Sequence, residues 1–241
     1  MGKLQNKLAL ITGGGSGIGR AVAIAFAQEG ADVIICGRTV PTLKETVREI
    51  SQKVGRPAFW KVVDVSKEKS ASELARFIEK KWGRLDILVN NAGILGFMIS
   101  IEKYPFKEWK TVLQANLDSV FLVSQKMIPL LRKGKNSIIV NVTSTVGSQG
   151  RKLWGAYSVS KFGTEALTQI LAQELESIRV YSINPGGART SMRAQAYPQE
   201  DPKTLPTPEE VAKAFVYLAS SECALKSGER LNARDWLGVK K

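Results

Sequence analysis

Tyr157 and Lys161 stand four residues apart in the run Tyr157-Ser158-Val159-Ser160-Lys161. On a helix that spacing puts phenol and ammonium on one face. A nearby cation favours tyrosinate, so the pair predicts a tyrosine pKa drawn below its ordinary value of about 10, towards the working range of a proton-transfer catalyst. The chain has no histidine, which removes Ser/His/Asp and Cys/His nucleophilic machinery and any zinc site that needs imidazole. A Tyr/Lys couple is then among the few remaining ways to do acid–base chemistry near neutral pH. By itself the pattern is weak, because most such pairs are simply exposed. Ser144 follows the apolar run Ser137–Val142. A hydroxyl at the carboxyl end of a strand can hold a substrate carbonyl, or it can only close a turn.

A second constellation is Thr12-Gly13-Gly14-Gly15-Ser16-Gly17-Ile18-Gly19, between a strand-like run and a helical one. Glycines there allow a tight turn and close approach to a pyrophosphate, and the helix N-terminus offers N–H donors and a positive dipole. Gly13, Gly15, Ser16, Gly17, Ile18 and Gly19 are therefore candidate dinucleotide contacts. The next strand ends in Cys36-Gly37-Arg38-Thr39, with no carboxylate to accept from ribose hydroxyls, and Asp32 sits at its other end. Arg38, helped by the Thr39 hydroxyl, suits a 2′-phosphate, so the expected cofactor is NADP(H) and not NAD.

These groups need a scaffold, and the chain supplies one by alternation. Strand candidates are Leu8–Thr12, Asp32–Cys36, Pro57–Val63, Leu85–Asn90, Ser137–Val142 and Arg179–Ile183. Their continuous apolar runs suit strands buried on both faces of a parallel sheet. Helical patterns lie between them at Ile18–Glu29, Thr42–Lys53, Ser70–Trp82, Phe106–Leu131 and Tyr157–Ser177, and a sixth is announced by Thr207, Pro208 and Glu210 as cap, first position and capping box. The expected fold is one α/β domain spanning 1–241, a doubly wound parallel sheet flanked by helices. The Pro-containing stretch 198–208 reads as an excursion, not a linker.

With 35 Lys plus Arg against 22 Asp plus Glu, the formal charge is +13, yet the basic residues are scattered among acidic ones. That spread fits an anionic cofactor or substrate better than nucleic acid or a membrane surface. Cys36 and Cys223 are too few for a disulfide scaffold or a metal cage, so no metal is expected and a reducing cytoplasm fits. No signal-peptide pattern or spanning segment is read, and Asn6 stands where a myristoylation motif wants Ser or Thr.

Across nearly its whole length the chain resembles the short-chain dehydrogenase/reductase family. The matches are TGGGSGIG at 12–19, Asp64, NNAG at 90–93, Asn116, Ser144, the Tyr157/Lys161 motif and NPGGART at 184–190. The resemblance implies a Rossmann-type fold and an NADPH-dependent carbonyl reductase with Asn116, Ser144, Tyr157 and Lys161 as catalytic tetrad. It also implies adenine contacts from Asp64 and Val65, a cleft lined by Asn90, Asn91, Ala92 and Gly93, and a nicotinamide end embraced by Pro185, Gly186 and Thr190. Asn116 is expected to hold a water that refills the proton. A substrate lid is expected over about 188–207. PGGARTSMRA is similar to a subgroup resembling 3-oxoacyl carrier protein reductases, which makes an acyl thioester one candidate substrate beside small ketones. A catalytically idle dinucleotide sensor is the alternative. The tail from Gly228 to Trp236 departs from the glycine-rich end usual in the family. The two long helices are expected to form a homodimer or homotetramer through Val112, Leu113, Val120, Phe121, Leu167 and Leu171.

Overall fold

Seven apolar or short segments become strands: β1 (Leu8–Thr12), β2 (Asp32–Gly37), β3 (Ala58–Val62), β4 (Ile87–Asn90), β5 (Ser137–Val142), β6 (Ile178–Asn184) and β7 (Arg230–Asn232). They form one parallel sheet in the order β3-β2-β1-β4-β5-β6-β7. This is a computed structural model describing residues 2–238. Met1 of the rejected myristoylation motif and residues 239–241, beyond the departing tail segment, lie outside the described residues.

Alternate residues of each strand point into separate cores, as a sheet covered on both faces requires. Ile11, Ile35, Val89 and Val140 meet helices α1 (Gly17–Gln28), α2 (Val40–Val54) and α8 (Pro208–Ala219) on one side. Leu10, Ile34, Leu88 and Ile139 meet α3 (Glu68–Trp82), α5 (Ser119–Leu131) and α6 (Gly155–Glu174) on the other. The remaining helices are α4 (Phe106–Leu113), α7 (Ser191–Ala196) and α9 (Ala233–Trp236). Thr207 and Glu210 make the expected capping box at α8, with Thr207 N donating to Glu210 Oε2 at 2.7 Å.

Two expectations change. The stretch Phe106–Leu131 is not one regular helix: Gln114–Asp118 forms a π-helical turn between α4 and α5. The seventh strand was not anticipated, because three residues, Arg230, Leu231 and Asn232, carry no periodic signal and gain strand geometry only by pairing with β6. Element ends otherwise move by up to three residues; the helix expected over Tyr157–Ser177 runs over Gly155–Glu174. Among the described residues no helix is long and apolar enough to cross a membrane. Because β1 has β2 on one side and β4 on the other, successive crossovers leave in opposite directions there, and a crevice opens at the carboxyl ends of the strands.

Candidate active site

The carboxyl ends of β1, β4, β5 and β6 border that crevice. Ser144, Tyr157 and Lys161 line one part of it, a cleft of about 440 Å³, together with Gly13, Ser16, Gly17, Ile18, Asn91, Ala92, Gly93, Pro185, Gly186 and Thr190. Lys161 is buried, and its Nζ donates to the carbonyl of Val142 at 2.7 Å and lies 5.7 Å from the centre of the Tyr157 ring. The turn after β5 is fastened to α6 by the Ser158 hydroxyl, which donates to the carbonyl of Val146 at 2.6 Å. Ser144 closes a turn, its Oγ accepting from Val146 N at 3.4 Å, and the residue also borders the cleft.

The electrostatics correct one expectation. Burial pushes the Tyr157 phenol up to about 12, with the Ser144 hydroxyl pulling the other way, so the phenol is not drawn below 10. Burial also draws the Lys161 ammonium down to about 8, opposed by the charge of Glu165. Desolvation disfavours the charged form of each group and is the largest influence on both. The arrangement holds a protonated phenol beside a lysine that titrates close to the physiological range.

Asn116 sits behind the cleft wall. The extra residue of the π turn directs its side chain inward, where Oδ1 accepts from Ile94 N at 2.8 Å and Nδ2 donates to Ile94 O at 2.9 Å and to Ser160 Oγ at 3.2 Å. Both amide hydrogens are thereby used, and the residue works as a clamp on the chain at Ile94. Gly93 passes so close that a Cβ there would lie 3.1 Å from Asn116 Oδ1. Asn90, expected in the cleft, is buried instead and donates to Ser124 Oγ at 3.0 Å and Asn141 Oδ1 at 2.8 Å. As the last residue of β4 its side chain falls on the core side.

The crevice continues into a second cleft of about 380 Å³ lined by Gly13, Gly15, Ser16, Gly37, Arg38, Thr39, Asp64 and Val65. Gly19 lines neither cleft; a Cβ there would lie 2.4 Å from the carbonyl oxygen of Gly13, so its role is close packing of α1 on the loop. The residues fit a dinucleotide on two observations. Ser16 caps α1 with extended backbone but without a side-chain bond, leaving first-turn N–H groups free for an anion. Gly17 has φ +52°, and a Cβ there would point at Thr190 across the cleft at 3.5 Å. The Asp64 carboxyl is held below its usual range: burial raises it, but hydrogen bonds from Ser66 and the charges of Arg38 and Lys67 outweigh burial. Asp32 is remote, pairing with Arg56 at 3.0 Å.

The segment 188–207, where a lid is expected, is held by its own contacts. Thr190 caps α7 by accepting from Arg193 N at 3.2 Å, and the Arg189 guanidinium donates to the carbonyls of Pro202 at 2.9 Å and Leu205 at 3.3 Å. Sequence reasoning missed Ile94, Leu95, Trp154, Met192, Arg193 and Ala196 on the catalytic side, and Thr42, Ser66, Lys67 and Gln114 on the other. Trp154, three residues before Tyr157, was within reach of the same helical spacing; the others depend on loops that carry no pattern.

A family model described as short chain dehydrogenase matches residues 7–201. The oxidoreductase YciK of Escherichia coli K12 is 37% identical over 234 residues, covering 96% of this chain and 93% of that protein. A 3-oxoacyl-[acyl-carrier-protein] reductase, FabG, of Thermotoga maritima is 35% identical over 238 residues, covering 94% and 96%. A solved short chain dehydrogenase of Shigella flexneri complexed with NADP superposes with a TM-score of 0.94 at 37% identity, covering 97% of this chain and 100% of that one. Another, from Escherichia coli and complexed with NADPH, gives 0.93 at 37% identity, covering 96% and 97%.

Proposed function

The chain belongs to the short chain dehydrogenase family of oxidoreductases, and from that premise we propose that it is an NADPH-dependent carbonyl reductase. The reading rests above all on Ser144, Tyr157 and Lys161 bordering one cleft that adjoins the uncapped amides of α1. NADP and NADPH are the ligands of two similar structures. In this proposal the glycine loop and α1 hold the pyrophosphate, Arg38 and Thr39 the 2′-phosphate, Asp64 and Val65 the adenine. Asn91, Ala92, Gly93, Pro185, Gly186 and Thr190 border the nicotinamide.

The bound cofactor supplies a hydride to the carbonyl carbon. The Ser144 hydroxyl donates to the carbonyl oxygen and orients it. Tyr157 Oη gives its proton as negative charge develops there. A phenol pushed up to about 12 stays protonated at neutral pH, the state from which it can donate. The Lys161 ammonium stabilises the phenolate left behind, and Asn116 keeps the Ile94 segment in place. An acyl thioester is a second reading, favoured by the charge of +13 and by the Thermotoga relative. The lid over 188–207, the paired long helices of an oligomer and a cytoplasmic setting belong to the same proposal.

Tyr157→Phe tests it. The ring is kept and the proton donor removed, so kcat falls by orders of magnitude while NADPH still binds. Full turnover in folded Tyr157→Phe protein overturns the mechanism, and no turnover of any carbonyl by the wild type overturns the reductase reading in favour of an idle dinucleotide-binding protein.

A further inference from the structure

The substrate side of the cleft differs in kind from the cofactor side. Trp154 lines it next to Tyr157, the two ring centres 5.6 Å apart, and Tyr197 backs Trp154 at 6.0 Å. Three tilted rings thus form one wall. Ile94, Leu95, Met192 and Ala196 add apolar lining, with the uncharged polar residues Thr143, Ser191 and Gln195 between them. Such a wall favours a flat π-system, which gains ring-to-ring contact that an aliphatic chain of equal size lacks.

Charge narrows the class further. Among the described residues only two charged side chains border this cleft, Lys161 and Arg193. Lys161 is buried against the carbonyl of Val142. Arg193 is cancelled inside the lid: its Nε and Nη2 both donate to the Glu200 carboxylate at 2.6 Å, and its guanidinium lies 3.8 Å over the Tyr197 ring. A fork-to-fork pair of this kind is already satisfied and offers an anion nothing without losing Glu200. Arg151 adds a bond to the Tyr197 hydroxyl at 3.3 Å, which fixes the ring from outside.

We propose that the site takes an uncharged aromatic carbonyl compound, an aryl ketone or aldehyde, its ring against Trp154 and its carbonyl directed to Ser144 and Tyr157, with Arg193 and Glu200 serving as a lid clasp and not as an anion receptor. The proposal rests on the carbonyl reductase reading for turnover but not for binding.

Two measurements separate them. NADPH oxidation is followed with 1-phenyl-1,2-propanedione, 2,3-hexanedione and acetoacetyl-CoA, and calorimetry follows acetophenone binding to the protein with NADP present. The expected kcat/KM for the aryl diketone exceeds that for the aliphatic one at least tenfold. Trp154→Ala collapses that aryl-to-aliphatic ratio and weakens acetophenone at least tenfold, whereas Trp154→Phe, which keeps a ring, restores most of both. Equal rates for the two diketones, a preference for acetoacetyl-CoA, or acetophenone binding indifferent to Trp154→Ala overturns the proposal. Acetophenone binding that depends on Trp154, without turnover of any carbonyl, upholds the ligand class and overturns the reductase reading alone.

Discussion

Arg230, in the last strand, donates through Nη2 to the backbone carbonyl of Ser144 at 3.0 Å. Its Nη1 pairs at 3.3 Å with Glu165, whose other oxygen accepts from the Ser182 hydroxyl at 2.5 Å. One guanidinium therefore ties β7 to the serine at the catalytic cleft and to the helix turn that follows Lys161. Arg230→Met should loosen Ser144 and lower kcat roughly tenfold, an effect of about 1.4 kcal/mol, with NADPH affinity little changed. Fluorescence titration of NADPH beside steady-state kinetics checks this, and a variant with full kcat shows that Ser144 is held without Arg230.

The pH dependence follows from Lys161. With the ammonium titrating at about 8 and the phenol at about 12, kcat/KM for reduction should fall above about pH 8 as Lys161 loses its charge. Glu165 raises the lysine pKa, so Glu165→Gln should move the break to lower pH. Arg230→Met uncovers the Glu165 charge and should move it upward. Opposite shifts from two adjacent substitutions distinguish this network from a general loss of structure.

Stability carries the same signature. Lys161 binds its proton more weakly folded than unfolded, so the burial penalty is complete below about pH 8 and fades as pH rises towards the ordinary 10.5. Urea midpoints should therefore climb between pH 8 and 10 in the wild type relative to Lys161→Met. Parallel curves for the two proteins would mean that Lys161 titrates normally.

Cofactor preference turns on the end of β2. Arg38 is exposed at the cleft, and a Cβ at Gly37 would meet only Leu43, at 3.6 Å. Aspartate fits at 37 without displacing its neighbours. A well-placed guanidinium contributes roughly 1.5 to 3 kcal/mol to holding a phosphate, about one to two orders of magnitude in affinity. Wild type should prefer NADPH, and Gly37→Asp with Arg38→Leu should prefer NADH. Dissociation constants for both cofactors on both proteins decide it.

Of the side chains first expected to serve association, Phe121 alone is exposed enough to do so. Val112, Val120 and Leu171 are core residues, and Leu113 and Leu167 are half-buried, because each long helix lays a wide apolar face on the sheet. What stays exposed is Phe121 at 48%, Phe162 at 43% and Ile170 at 50%, an apolar surface that a lone chain leaves in water. Light scattering should give a dimer or tetramer at micromolar concentration, and Phe162→Glu with Ile170→Glu should shift it towards monomer. A wild-type monomer excludes the helix-pairing model.

Legibility followed the range of the interactions. The glycine loop, Arg38 and the Tyr157/Lys161 spacing were readable because turn, charge and helix periodicity are local. Six strands were readable because their burial on both faces imposes continuous apolar runs. Arg193 and Glu200 were not, since their pairing arises only when the loop after β6 folds back on itself. The sign of the Tyr157 shift was missed because local spacing records the lysine but not the desolvation that dominates it.

The sheet order has a consequence in time. β3, β2, β1 and β4 are the first four strands in the chain and also four adjacent strands in the sheet. They carry the glycine loop, Arg38, Asp64 and Asn91, whereas Ser144, Tyr157 and the β7 clasp come later. A chain emerging from the ribosome thus has all four strands that border the nucleotide cleft before Tyr157 is synthesised. A dinucleotide bound across this cleft stabilises the folded sheet by mass action, so the cofactor is a stabilising ligand as well as a reactant.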